Sequence, residues 1–187
     1  PPLPLPLVAI RLLAACLRLA AFDEALILGD QSAILDAAFQ TAHLRYFPAI
    51  GMKSSVGVMQ TGIVPLLAAL PLLVVKRVIA VRWFFAALDL LALAWLYRAT
   101  ERALGRRAAL VTALLYAAHP WIIEFARTIW YQTLIATFAT VAFASLLWVL
   151  TARRGREAAL AAALIAATLM SMVHLAAAPW GVLLFGI

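Results

Sequence analysis

The apolar stretch VIAVRWFFAALDLLALAWLY, residues 78–97, decides what kind of fold this chain adopts. A helix of about 20 predominantly apolar residues crosses the hydrocarbon core of a bilayer, and this stretch has that length. Similar apolar runs occur elsewhere, at 7–21, 108–123, 129–150 and 158–173. The chain is 67% hydrophobic and only 12% charged, whereas a soluble domain is about half apolar. We therefore predict an all-α, polytopic membrane helical bundle that forms a single transmembrane domain over residues 1–187.

Two short basic loops, RATERALGRR (98–107) and ARRGRE (152–157), indicate the orientation of this bundle. Two predicted spans separate them, so both loops lie on one side, and short Lys/Arg-rich loops stay in the cytoplasm. This places residues 118–132 and a first outer loop at about 22–81 on the extracytoplasmic face of the plasma (inner) membrane. The placement requires that the apolar run 63–75 does not cross. That run is short and carries two prolines, and it predicts an interfacial or re-entrant helix.

The net charge of +7 belongs to this topology, because the Arg residues punctuate apolar runs. We accordingly expect membrane lipid as a partner and no nucleic acid. The chain lacks an initiator Met and ends inside an apolar run, so we expect it to be the N-terminal part of a longer protein.

The outer loop contains the stretch LGDQSAILDAAFQTAHLRYFP, residues 28–48, which has the pattern of an amphipathic juxtamembrane helix. Asp30 has the features of an N-cap. The apolar side chains after it share one face at helical spacing, and the polar ones lie off that face. The apolar set is Ile34, Leu35, Ala38, Phe39 and Ala42; the polar set is Asp36, Gln40 and His43. Such a helix would hold a carboxylate at the membrane surface.

Ionisable residues from distant segments converge on this predicted outer face. Five of the eight acidic residues belong to this set: Asp23, Glu24, Asp30, Asp36 and Glu124. Three histidines join them: His43, His119 and His174. Each also has a structural interpretation: Asp30 as a helix cap, and the Asp23–Glu24 pair as the aqueous end of the first span. Asp89 lies inside a span, where a carboxylate suggests function, but its depth favours a Ser, Thr or Arg partner on another helix. Trp130, near an outer boundary, is typical of an aromatic belt.

The order of these segments resembles the GT-C class of membrane glycosyltransferases. It is most similar to the prokaryotic branch grouped with protein mannosyltransferases, lipid A aminoarabinose transferases and Rgt-type glycosyltransferases. The resemblance rests on a first span followed by LGDQSAILDAAFQ, the loop G-x-x-S-S-x-G at 51–57, IVPLLAALP, YRATERALGRRAAL and LLYAAHPWIIEFARTIWYQ.

This resemblance implies a carboxylate base in the first outer loop and a sugar donor carried on polyprenyl phosphate. Asp30 occupies the matching position, and the Asp23–Glu24 pair is the second choice. The acceptor would be a glycan, a lipid or a protein. The remaining expected substrate-binding residues, several of them placed to hold the departing phosphate, are Lys53, Ser54, Ser55, His119, Glu124, Arg127, Gln132 and His174.

The chain departs from the class at Gln132, where a second acidic residue is common after the third span. The nearby carboxylate is then Glu124, which leaves a divalent metal as an open question and no certain cofactor. A different class of function is a transporter or flippase of lipid-linked sugars, which would place polar groups near the bilayer midplane. Asp89 is the one clearly central carboxylate, and this distribution favours the transferase.

Overall fold

The computed structural model describes residues 5–20, 29–54, 57–152, 154–174, 177, 179 and 183. Over these residues the chain is mostly helical, with a single small hairpin of two strands. The elements in chain order are α1 (Leu5–Leu19), α2 (Gly29–Ala42), β1 (Ile50–Lys53), β2 (Met59–Thr61), α3 (Ile63–Leu72), α4 (Val78–Leu104), α5 (Arg106–Ala118), α6 (Pro120–Arg127), α7 (Thr133–Thr151) and α8 (Arg156–Val173).

Three of these helices, α4, α7 and α8, are long and apolar enough to cross a membrane. Helices α7 and α8 pack together through Ala142, Ala166 and Ala167, since small side chains let two backbones approach closely. Helix α4 joins α7 through the indole N–H of Trp95, which donates to the hydroxyl of Ser145 at 2.8 Å. These features support a multi-pass membrane protein built on the span predicted at 78–97.

The predicted straight span at 108–123 is broken. Helix α5 ends at Ala118, and α6 continues from Pro120 at an angle of 56° to it. Proline has no backbone N–H and its ring clashes with the preceding turn, so a continuous helix through this position is disfavoured. The α5 and α6 helices together satisfy the length and hydropathy of one further crossing, which would be a bent one. The next predicted span, at 129–150, begins later than expected, at Thr133.

Helix α1 covers most of the first predicted span at 7–21. Its described part has 15 residues, or about 22 Å at 1.5 Å per residue. It lies against α4 and α5 in a cluster of buried side chains: Leu7, Ile10 and Ala14 of α1, Leu93 and Tyr97 of α4, and Ala109, Ala113, Tyr116 and Ala117 of α5. The Asp23–Glu24 pair lies outside the described residues.

A layer formed by α2, the β1–β2 hairpin and α3 covers one end of the bundle, and we call it the cap. The predicted apolar face of α2 is confirmed, because Ile34, Leu35 and Ala38 are buried and Asp36, Gln40 and His43 are exposed. This face packs with α3 and with the ends of the long helices in one core: Val64, Ala68, Ala69, Leu72, Val81, Phe85, Ile129, Tyr131, Leu134 and Val173.

Helix α3 has only 10 residues, which is about 15 Å of helix against about 30 Å of bilayer hydrocarbon. It is therefore too short to cross, as the sequence predicted for the apolar run 63–75. One side of α3 is buried in the cap. The other side and the turn after it leave Leu70, Leu73, Val74 and Val75 exposed, with Val74 at 85%.

The turn-rich stretch before α3 contains an antiparallel hairpin, which the all-α prediction did not include. Ile50 pairs with Thr61 and Lys53 with Met59. The Thr61 hydroxyl donates to the Met172 carbonyl at 2.6 Å, which fastens the hairpin to the end of α8. At Gly62 the chain passes so close to Pro48 that a Cβ would overlap the Pro48 carbonyl oxygen.

Gly62→Ala should therefore destabilise the cap, because the hairpin or the start of α3 would have to move. We expect a loss of about 1–3 kcal/mol, the usual cost of overpacking, measured as a lower thermal unfolding midpoint of the protein in detergent. Gly29→Ala is the matched control, since a Cβ there meets nothing within 4 Å. Equal midpoints for the two variants would contradict the close approach.

Candidate functional site

Asp30 lies exposed in the first turn of α2. The helix begins at Gly29, earlier than predicted, so Asp30 does not occupy the N-cap position. Its Oδ2 accepts a hydrogen bond of 3.3 Å from the indole N–H of Trp130, which is 100 residues further along the chain. The contact joins the cap to the connection between α6 and α7. A carboxylate in the first turn also interacts favourably with the helix dipole.

The connection that carries Trp130 is held by threonine hydroxyls. The Thr133 hydroxyl accepts from the Trp130 backbone N–H at 3.0 Å and donates to the Thr128 carbonyl at 3.1 Å. These bonds tie the connection to the first turn of α7. The indole is therefore presented to Asp30 from a fixed backbone.

A cavity of about 180 Å³ lies between α2 and the hairpin, and its first lining residue on α2, Ala33, is one turn after Asp30. Ala33 and Ala37 line it from the α2 face that continues from Asp30, because helix positions separated by one or two turns share a face. The other lining residues are Ile34, Tyr46, Pro48, Ile50, Gly51, Met52, Pro65 and Tyr131. Water occupies about 30 Å³ per molecule, so the space suits one small polar molecule or a single ring.

Tyr131 forms one wall of this cavity and is only 4% exposed. Its hydroxyl oxygen accepts from the Met52 backbone N–H at 3.0 Å. Burial raises the pKa of Tyr131 above its usual value, the Met52 hydrogen bond lowers it, and the charges of Tyr46 and Asp30 raise it further. The hydroxyl is thus protonated at neutral pH, and its hydrogen can be donated to a group in the cavity.

Gly51 is the position at which this wall meets the hairpin. A Cβ there would overlap both the Thr61 carbonyl oxygen and the Tyr131 hydroxyl. The G-x-x-S-S-x-G loop therefore needs its first glycine for close packing. Ser54 closes the turn of the hairpin, because its hydroxyl accepts from the Val58 backbone N–H at 3.2 Å. Lys53 is exposed at the end of β1, and Ser55 lies outside the described residues.

Gln132 and His174 come together, with 3.2 Å between the Gln132 Nε2 and the His174 Nε2. Gln132 precedes α7 and His174 follows α8, so this contact joins the ends of two long helices beside the cap. His43, by contrast, bonds to the Phe39 carbonyl of its own helix. The structure thus brings two of the predicted substrate-binding residues into direct contact.

The remaining predicted residues lie on or next to α6. Glu124 is exposed on that helix and Arg127 is half-buried at its end, three residues before Trp130. His119 is exposed at the break between α5 and α6. All three residues precede Trp130 in the chain, and Trp130 is the residue that contacts Asp30.

Trp130 and Tyr131 are the site residues that the sequence did not single out. Trp130 was interpreted as part of an aromatic belt, and Tyr131 received no role. Both lie in the run IWYQ, immediately before Gln132. An aromatic run next to a predicted substrate residue was the available signal.

Within the described parts of the chain, no three residues of the types His, Cys, Asp and Glu lie together as a group that would hold a metal ion. The Asp23–Glu24 pair is not among the described residues.

Comparisons of this chain with protein-family models, with curated proteins and with solved structures found no match. What the site does is therefore argued from its own residues: an exposed carboxylate held by an indole, a small cavity with a buried tyrosine, and an amide–imidazole pair next to it.

Tyr131→Phe should destabilise the protein, because the Met52 backbone N–H loses its acceptor. An unsatisfied buried donor costs about 1–3 kcal/mol, and thermal unfolding in detergent would measure the loss. Tyr46→Phe is the control, since Tyr46 lines the same cavity but is 46% exposed. If the two variants unfold at the same temperature, the Tyr131 hydroxyl does not hold the hairpin.

Proposed function

We propose that this chain is the membrane part of a GT-C type glycosyltransferase, which moves a sugar from a polyprenyl-phosphate donor to a lipid, protein or polysaccharide acceptor on the extracytoplasmic face. The observation that supports it most is the Asp30–Trp130 contact. Through it, an exposed carboxylate from the cap meets a distant connection whose next residue, Tyr131, lines one small cavity at one end of an apolar helical bundle.

The chemistry assigns Asp30 the role of general base. Its carboxylate takes the proton of the acceptor hydroxyl as the acceptor oxygen bonds to the anomeric carbon of the sugar. The bond from that carbon to the phosphate oxygen breaks, and the electron pair leaves with the lipid phosphate. The Trp130 indole N–H donates to this carboxylate and holds it in place.

The departing phosphate gains negative charge, which positively charged side chains would stabilise. Arg127, one turn before Trp130, and Lys53, at the end of β1, are the nearest candidates along the two segments that form the site. Tyr131 would contribute a hydroxyl hydrogen from the cavity wall. The aromatic rings of Tyr46 and Tyr131 suit the apolar faces of a sugar, and the cavity size suits one ring.

The exposed edge of the cap supports a membrane-surface location for this reaction. The apolar side chains Leu70, Leu73, Val74 and Val75 are followed by exposed Lys76 and Arg77, directly before the long helix α4. Such a pattern places apolar side chains among acyl chains and cations at the level of the headgroups. A donor with a lipid tail would then approach the cavity from the bilayer.

The second candidate function, a transporter or flippase of lipid-linked sugars, is favoured by the α5–α6 break. Transporters often bind substrate near the midplane where helices are discontinuous, and Asp89 lies in the middle of α4 close to this break, bonded to Tyr116 of α5. The two functions differ in the carboxylate that they require: Asp30 for transfer and Asp89 for transport.

Asp30→Asn should abolish sugar transfer, because the amide cannot accept the acceptor proton. We expect a loss of about 100-fold or more in transfer of labelled sugar from polyprenyl phosphate, measured in membranes that contain the protein. Asp36→Asn is the control: Asp36 lies on the same helix, is exposed, and accepts from Gln40. Full activity of the Asp30 variant would reject this assignment.

Cysteine labelling tests the orientation. In a Cys16→Ser background, Lys76→Cys should react in intact cells with a maleimide that cannot cross the membrane, whereas Arg107→Cys should react only after the cells are opened. Both native side chains are exposed, and the basic loops are expected to stay in the cytoplasm. The reverse pattern would place the Asp30 site in the cytoplasm.

A further inference from the structure

Arg18 and Asp89 form a buried ion pair between α1 and α4. The Arg18 Nε donates to the Asp89 Oδ2 at 2.5 Å, and the two side chains are 0% and 3% exposed. The other oxygen, Oδ1, accepts from the Tyr116 hydroxyl at 2.6 Å and from the Thr137 hydroxyl at 3.4 Å. Helices α1, α5 and α7 therefore all contribute to neutralising and solvating one carboxylate on α4.

The remaining donors of Arg18 reach the end of α5. Its Nη1 donates to the Ala117 carbonyl at 3.1 Å and to the Ala14 carbonyl at 3.3 Å, and its Nη2 reaches the Tyr116 carbonyl at 3.5 Å. The last carbonyls of a helix have no partner within that helix. Here Pro120 has no N–H to give to the Tyr116 carbonyl, which accepts from the His119 backbone N–H at 3.4 Å. The guanidinium supplies the donor to the Ala117 carbonyl. Its positive charge also suits the negative end of the helix dipole.

We infer that Arg18 and Asp89 are a positioning pair that fixes where α5 ends and in which direction α6 continues. Asp89 orients the guanidinium, and the guanidinium in turn caps α5 directly before the 56° bend. Helix α6 carries Glu124 and Arg127 and leads to Trp130. The pair thus acts on the Asp30 site through the direction of α6, without touching it.

The surroundings of the pair distinguish this role from transport. A groove of about 480 Å³ lies between α4, α7 and α8, and Thr137 lines it, but neither Arg18 nor Asp89 does. The groove is otherwise lined by apolar side chains and Trp95. A molecule in this groove would contact the Thr137 side chain but not Arg18 or Asp89. This is consistent with a structural role for the ion pair.

A distance measurement across the bend tests the inference. In the full chain with Cys16→Ser, spin labels at Leu104 and Glu124, both exposed, report across α5, whose 13 residues span about 20 Å. Double electron–electron resonance in nanodiscs gives the distance distribution. The test variant is Arg18→Met/Asp89→Asn, which removes both charges together, because replacing a whole buried pair is much less disruptive than leaving one charge alone.

We expect the distribution of Arg18→Met/Asp89→Asn to be about twice as wide as that of the parent, since the α5 carbonyls lose their donors. Ser145→Ala is the matched control, because it removes the partly buried hydrogen bond from Trp95 of α4 to Ser145 of α7, away from the bend. The distance distribution of this variant should not change. An unchanged distribution in the double variant would overturn the inference.

Arg18→Lys keeps the inference testable if the double variant does not fold. Lysine preserves the charge, but its single nitrogen cannot replace the planar fork that reaches Asp89 and three carbonyls together. We expect a distribution of intermediate width. Parent-like width in folded Arg18→Lys would overturn the positioning role, since charge alone would then suffice.

The effect on catalysis rests on the proposed function and is measured separately. Arg18→Lys should lower kcat and kcat/KM for the polyprenyl-phosphate sugar together, about tenfold, while KM changes little, because the contacts to the departing phosphate move and the base does not. If the parent protein transfers no sugar, the proposed function fails, and the distance distributions still decide the role of the pair. If lipid-linked sugar crosses the membrane in the parent and not in Arg18→Met/Asp89→Asn, with parent-like distances, the pair belongs to transport.

Discussion

The Asp89 carboxylate imposes a constraint that the rest of the bundle has to meet. A lone charge inside a membrane protein is costly, and it persists where other helices pair with it and complete its hydrogen bonds. Arg18, Tyr116 and Thr137 do this from three different helices. Each of these helices must therefore hold a fixed height and rotation relative to α4. In this way one ionisable residue specifies how α1, α5 and α7 are arranged. Apolar contacts between helices are less directional and would specify this arrangement less strictly.

The same cluster explains how a broken helix is tolerated. Pro120 prevents α5 from continuing, and the carbonyls freed at its end would be unsatisfied in an apolar environment. Arg18 donates to the Ala117 carbonyl, and the Tyr116 carbonyl also accepts from the His119 backbone N–H. The chain can then turn by 56° and run to the cap, where a few long-range hydrogen bonds fasten it: Trp130 to Asp30, Met52 to Tyr131, Gln132 to His174 and Thr61 to Met172. The site is thus assembled from the ends of helices that the buried cluster aligns.

The sequence predicted the parts that depend on local pattern. The hydropathy of 78–97 identified the central helix, and helical spacing identified the buried face of α2. The depth of Asp89 correctly indicated a helix–helix partner of the Arg or Thr type. What it missed depends on contacts between distant residues. The hairpin has two short strands that are fixed by Tyr131 and Met172 and not by their own pattern. Trp130 looks like any tryptophan at a membrane boundary until Asp30 is seen beside it, and the span predicted at 108–123 does not include the bend at Pro120.

The shortness of α3 and the Asp30–Trp130 contact lead independently to the same topology. Because α3 is too short to cross, α2 and the connection after α6 are on the same side of the bundle, if α4 and the bent α5–α6 pair each cross once. A hydrogen bond cannot extend across about 30 Å of hydrocarbon. The contact at 3.3 Å between Asp30 and Trp130 therefore requires that α2 and the connection after α6 lie on the same side. This conclusion does not depend on the charged loops. The basic loops then have to decide only which compartment that side faces, and they lie at the opposite ends of α4 and α7 from the cap. The positive-inside preference, applied to those loops, is the basis on which we propose that the cap lies outside.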